Sequence, residues 1–89
     1  MSIAEQLKHR IEQENWQPIT ITNDDYQLDL PEVHGKDEVG FVVWRKRGPE
    51  DLELLASGHT LRGRLVDGEE QPLDLSDDVE DAITTLLDQ

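Results

Sequence analysis

The spacing of apolar residues changes period twice along the chain, from helical to alternating and back to helical. Ile3, Ala4, Leu7 and Ile11 recur at helical intervals and line one face, with Glu5, Lys8 and Glu12 on the other. Glu5 and Glu12 both lie within reach of Lys8 for weak ion pairs. Ser2 and Glu5 fit the S-x-x-E capping pattern, in which each side chain satisfies the other's backbone N–H. Pro18 is expected to end this helix, because the residue before a proline is pushed toward extended geometry. Trp16 stands at the exit and is expected to fold back on the core.

Alternation follows. Ile19-Thr20-Ile21-Thr22 and Tyr26-Gln27-Leu28-Asp29-Leu30 read as two strands joined by Asn23-Asp24-Asp25, whose side chains can bond nearby backbone. Ile19, Ile21, Tyr26, Leu28 and Leu30 face in. Pro31 to Glu38 reads as an acidic loop containing His34-Gly35. Val39 to Lys46 is the strongest strand: Val39, Phe41 and Val43 share one face, Val42 and Trp44 the other. Apolar residues on both sides mark a central strand that is either covered twice or left with an exposed apolar face.

Beyond the Gly48-Pro49-Glu50-Asp51 turn, Leu52 to Gly58 fits two patterns. Pro49, the acids after it and Gly58 suit a short helix. Leu52, Leu54 and Ala56 alternate as a strand would, and the strand is preferred. Thr60 to Val66 reads as one further strand, with Leu61 and Leu65 inward and Arg62 and Arg64 outward. Asp67-Gly68 marks a hairpin turn, and Pro72 confines Gln71 to Leu75 to an edge strand. The last segment is a helix: Ser76 or Asp77 caps it, its first turns are acidic, and Val79, Ala82, Ile83, Leu86 and Leu87 form the stripe. The fold expected is α+β in two layers, with the N- and C-terminal helices on one face of an antiparallel sheet of four to five strands. No repeat or linker divides residues 1–89, so they read as a single domain.

Composition first raises a question about order. The chain has 89 residues, 21 Asp and Glu against 8 Lys and Arg, and a formal net charge of -13. High charge marks disorder only when apolar residues are scarce. Here Leu, Ile, Val and Phe make up 24 of the 89, or 27%, and they keep regular periods. A folded domain is therefore expected, of marginal stability. The acidity argues against direct nucleic-acid binding through a basic surface. The absence of Cys excludes disulfides, thiolate catalysis and Cys-ligated metal. No apolar run reaches the ~20 residues of a membrane span. Residues 1–17 lack the apolar core of a signal peptide, so a cytoplasmic location is the expectation.

Little in the sequence points to chemistry. His9, His34 and His59 lie on a helix, in a loop and at a turn, without metal-ligand spacing. Asn23-Asp24-Asp25 with Asp29 lacks the Gly and terminal Glu of a calcium loop. Ser57-Gly58-His59 is not a nucleophile elbow. With so many acids, adjacent pairs arise without catalytic need, and none is placed in the core. No cofactor, metal or catalytic residue is assigned, and the chain is read as a non-enzyme, with a small enzyme lacking any recognisable motif as an alternative.

Charge is unevenly distributed. Residues 67–89 hold nine acids and no base, whereas 39–48 hold three bases and no acid. Arg45, Lys46 and Arg47 form one basic cluster, and Arg62 with Arg64 another. If their strands are neighbours, they make a basic patch beside Trp44. One account is internal neutralisation by surrounding acids. The other is a partner-binding site built from Phe41, Trp44, Arg45, Lys46, Arg47, Arg62 and Arg64, since Trp and Arg are enriched at binding hot spots. The leading functional reading is a small protein-interaction or regulatory module whose partner is another protein. Scarce Lys and abundant acid suit a protein held soluble in concentrated salt. A nucleic-acid mimic that inhibits a DNA-binding protein is the alternative, although the mean charge density is nearly fourfold below that of duplex DNA.

Overall fold

A computed structural model describes residues 2–35 and 38–89. The part of the Pro31–Glu38 loop that falls on Lys36 and Asp37 lies outside them. The elements run α1 (Ile3–Gln13), β1 (Ile19–Thr22), β2 (Tyr26–Leu30), β3 (Val33–His34), β4 (Glu38–Lys46), β5 (Leu52–Leu61), β6 (Arg64–Val66) and α2 (Asp77–Leu87). The fold is α+β: two helices pack on one side of an antiparallel sheet of order β1-β2-β4-β5-β6, and β3 pairs with β4. The sheet has six strands, one more than expected. The extra one is β3, where Val33 opposes Val39 and His34 opposes Glu38 in the segment read as a loop. Residues 52–61 are a strand, so the alternation there outweighed the helical signals.

The helix-covered face of the sheet holds the core. Leu28, Leu30, Val39, Phe41 and Val43 meet Leu7 and Ile11 of α1 and Ile83 and Leu86 of α2, all at most 1% exposed. Burying an aliphatic or aromatic side chain contributes roughly 1.5–3 kcal/mol, so this cluster carries most of the driving force for folding. Gly58 faces Phe41 across β4 and β5. A Cβ at Gly58 would stand 2.4 Å from Val66 O and 2.9 Å from a Leu73 methyl, so glycine is required by the close packing of β6 and the segment after it. Beyond the last pair of the β4–β5 ladder, the buried Thr60 hydroxyl accepts from Val39 N–H (3.0 Å) and satisfies a donor the ladder no longer reaches.

α1 ends earlier than Pro18 would require. Its last residue is Gln13, and Asn15 and Trp16 both adopt left-handed backbone (φ 59° and 60°). Trp16 N–H donates to Ile11 O (2.9 Å) and Asn15 N–H to Glu12 O (3.1 Å). That is the pairing of a Schellman cap, with Asn in the position usually held by glycine. The cap turns the half-buried Trp16 back onto the core, as expected from the sequence. At the N-terminus, Ser2 Oγ accepts from Glu5 N–H and also donates to the Glu5 carboxylate.

Ser76, rather than Asp77, caps α2 by accepting from Val79 N–H. The helix has acids in its first turn and no base in its last. Arg10 of α1 supplies the missing cation: Nη1 donates to Leu87 O (3.0 Å) and Gln89 O (2.9 Å), while Nε pairs with Glu14 (3.3 Å). Helix-end carbonyls and the negative end of the dipole are thereby satisfied from the neighbouring helix.

Two turn readings are corrected. Thr60–Val66 is not one strand, because Arg62 and Gly63, both at positive φ (53° and 79°), form a two-residue hairpin turn. Leu65 therefore opposes Thr60 on the core side, while Leu61 opposes Arg64 and does not share its face. Asp67-Gly68 starts a longer turn, closed by Glu70 N–H to Asp67 O, with Glu70 at φ 63° and the Asp67 carboxylate accepting from Glu69 and Gln71 N–H. After it, Gln71–Leu75 contributes a single bridge, Val66 to Pro72, in place of the edge strand expected.

Candidate functional site

The face of the sheet opposite the helices is where candidate functional residues gather. β4 and β5 pair from Gly40–His59 to Lys46–Leu52, but the register slips between Val43 and Trp44. Val43 opposes Ala56 and Trp44 opposes Leu54, which leaves Leu55 as an extra, bulged residue. In an unbroken strand Leu52, Leu54 and Ala56 would share one face. The bulge sends Leu55 and Ala56 to the core and turns Leu54 and Leu52 outward, where they are 54% and 37% exposed. Trp44, half-buried, opposes Leu54 across the two strands.

Trp44 is held from the other side by polar contacts. Its indole Nε1 donates to Asp29 Oδ2 (3.0 Å), and Thr20 Oγ1 and Gln27 Nε2 donate to Oδ1 of the same carboxylate (3.0 and 3.1 Å). A carboxylate that accepts from three side chains, one on its own strand and one on each neighbouring strand, fixes the ring's position. The open face thus has an apolar half, Trp44 with Leu52 and Leu54, and a hydrogen-bonded polar half.

At the other end of this face is a cleft of about 430 Å³, walled by Glu32, His34 and Glu38 and floored by Gly40, Ser57 and His59. Gly40 N–H donates to Glu32 O (2.8 Å), which holds this wall against the sheet. Glu32 and His34 form an exposed pair (3.1 Å). Among the described residues no hydrogen bond joins Ser57 to a histidine, so no nucleophile–base pair is assembled. Nor do any three His, Asp or Glu among them stand where they could hold a metal ion.

The residues singled out in the sequence are not all brought together. Phe41 is 1% exposed, in the core and on the opposite face from Trp44, so it takes no part in a surface. Arg45 and Arg47 both pair with Glu53, Arg45 at 3.7 Å, and Lys46 Nζ donates to Asn23 O (3.1 Å). These three lie near Trp44; two of them share the one Glu53 carboxylate, and exposed pairs of this kind contribute little. Arg62 and Arg64 are exposed and make no ion pair with the described residues. They sit at the far end of the ten-residue β5, roughly 30 Å away at ~3.3 Å per residue. β5 separates the strands that carry them, and the two clusters do not merge.

Charge is arranged by face. By register, Asp29 and Glu38 are the acids on the open face, and Lys46 and Arg64 the bases. The remaining acids among the described residues lie on the helices, in the turns, or in the Glu53 pairs. Leu52, Leu54 and the Asp29 network were missed in the sequence. The consecutive apolar run Leu54-Leu55-Ala56, which breaks alternation, was the available sign of a bulge. No protein-family model matches the chain, and no curated protein or solved structure matches it either. No helix among the described residues is long and apolar enough to cross a membrane.

Proposed function

We propose that the protein is a non-enzymatic interaction module that binds another protein through the open sheet face, with Trp44 and Leu54 as anchors. The observation that carries this reading is the Leu55 bulge, which puts two leucines into solvent beside a tryptophan fixed by Asp29. Bulges re-aim side chains next to functional sites, and aromatic anchors dominate binding energy. The partner surface is apolar at its centre, and a partner of opposite overall charge is steered toward a body of net charge -13. Lys46 and its pairs with Asn23 and Asp25 backbone shape one rim of the face.

The test compares proteins retained from the native host by the wild type and by Leu54→Glu. A partner retained by the wild type and lost with the variant, while the variant keeps its circular dichroism spectrum and melting temperature, supports the reading. Equal retention by both overturns it.

The acidity itself we read as solvation of the helices and turns in concentrated salt. At ~1 M salt the screening length falls to about 3 Å, which quiets like-charge repulsion. The melting temperature is expected to climb steeply with KCl, and a flat profile removes this account. The spread of acids over two helices and most turns favours it over a path of charge that imitates duplex phosphate.

A further inference from the structure

The two edges of the sheet are protected differently. Beyond β6, Val66 bridges Pro72 and Leu73 N–H donates to Leu65 O (3.0 Å), so a short segment covers that edge and ends its pairing with a residue that has no N–H. Among the described residues no segment pairs with the outer edge of β1. In the β1–β2 hairpin Asn23 N–H donates to Tyr26 O (3.0 Å). Alternation from that pair directs Ile21 and Ile19 toward β2 and leaves the N–H and C=O of Thr20 and Thr22 pointing away from the sheet.

Natural edges are blunted by shortness, Lys, an internal Pro or a bulge. β1, Ile-Thr-Ile-Thr, is short, but it pairs without a register break and contains no Lys and no Pro. It lies within Asn15–Asn23, nine residues without an acid or base in a chain that is 33% charged. We propose that β1 pairs with β1 of a second copy of this chain, antiparallel about a two-fold axis at Ile21. Thr20 of each copy then opposes Thr22 of the other, giving about four backbone hydrogen bonds.

The strand is suited to itself. The pairing sets the exposed Thr20 against Thr22 on the open face, a favourable cross-strand pair, while Ile21 stays in its own core. Charge selects the same place. Two bodies of -13 repel through their helices and turns, whereas here an uncharged strand meets an uncharged strand. Pro18 ends the ladder, so the contact is small, at the weak end of specific interfaces. Because screening weakens the repulsion between the two bodies, the dimer strengthens with salt. The open face stays free, so this pairing is independent of the partner binding proposed above.

Sedimentation equilibrium of the full chain, up to about 1 mM and in low and ~1 M KCl, tests it. The wild type is expected to dimerise, more tightly at high salt. Thr22→Pro deletes an N–H that β2 does not use, and Thr22→Glu places like charges near the two-fold axis. Each is expected to weaken the dimer at least ~100-fold, a difference of about 2.7 kcal/mol, and Leu54→Glu to leave it unchanged. Thr22→Glu leaves the backbone donors in place and reports on the contact even where the proline variant fails to fold. A wild type that is monomeric at every concentration and salt, or a folded Thr22 variant that dimerises like the wild type, overturns the proposal.

Discussion

The two faces of the sheet are built from the same strands and obey different rules. On the helix-covered face Leu28 and Leu30 of β2 and Val39, Phe41 and Val43 of β4 are apolar and closed off. On the other face the same strands carry Gln27, Asp29, Val42 and Trp44, and β5 adds two leucines in water. The difference teaches where the chain has spent its apolar residues: one face holds the fold together, and the other keeps a small apolar patch that folding does not need.

The comparison breaks most readily at Leu28. It is fully buried beneath both helices, so Leu28→Ala is expected to cost about 2–5 kcal/mol through lost transfer energy and the cavity left behind. Urea unfolding followed by circular dichroism measures it. A loss below ~1 kcal/mol shows that this side of the sheet is not the tightly packed one.

Arg10→Ala sharpens the same comparison from the helix layer. The guanidinium bonds two carbonyls at the end of α2, and with 18% side-chain exposure it is only partly screened. Removing it leaves helix-end acceptors without their cation, an expected loss of about 1–2 kcal/mol. Arg10→Lys keeps the charge but loses the fork geometry, and is expected to recover part of that loss. If both variants melt with the wild type, the helices are held by their apolar stripes alone.

The covered face was legible in the sequence because period reports burial directly. Ile3, Leu7 and Ile11, Leu28 and Leu30, and Val39, Phe41 and Val43 all face where their spacing places them. The open face was less legible, for two physical reasons. A bulge reverses the facing of all residues beyond it, so Leu52 and Leu54, which alternate in step with Ala56, emerge on the opposite side from it. Register also decides which clusters meet. Arg45–Arg47 and Arg62–Arg64 flank the same strand, but antiparallel pairing sends them to its two ends. The Arg62-Gly63 turn was hidden for a related reason: its first residue lacks the Asn or Asp preference of such turns, and tertiary pairing holds it at positive φ.

The smallest expected effect is the one that defines the open face. Leu54 matches Leu28 in chemistry and differs in place, with 54% of its surface in water against 0%. Leu54→Ala is therefore expected to change stability by no more than ~0.5 kcal/mol, the range of surface substitutions. Trp44 fluorescence should report only a local change, since the indole remains bonded to Asp29. A large loss instead means that Leu54 and Trp44 form a second structural cluster, and the patch then belongs to the fold rather than to a partner. A near-zero change together with lost partner binding separates the two roles cleanly, because a side chain that contributes nothing to folding and much to binding has its function at the surface.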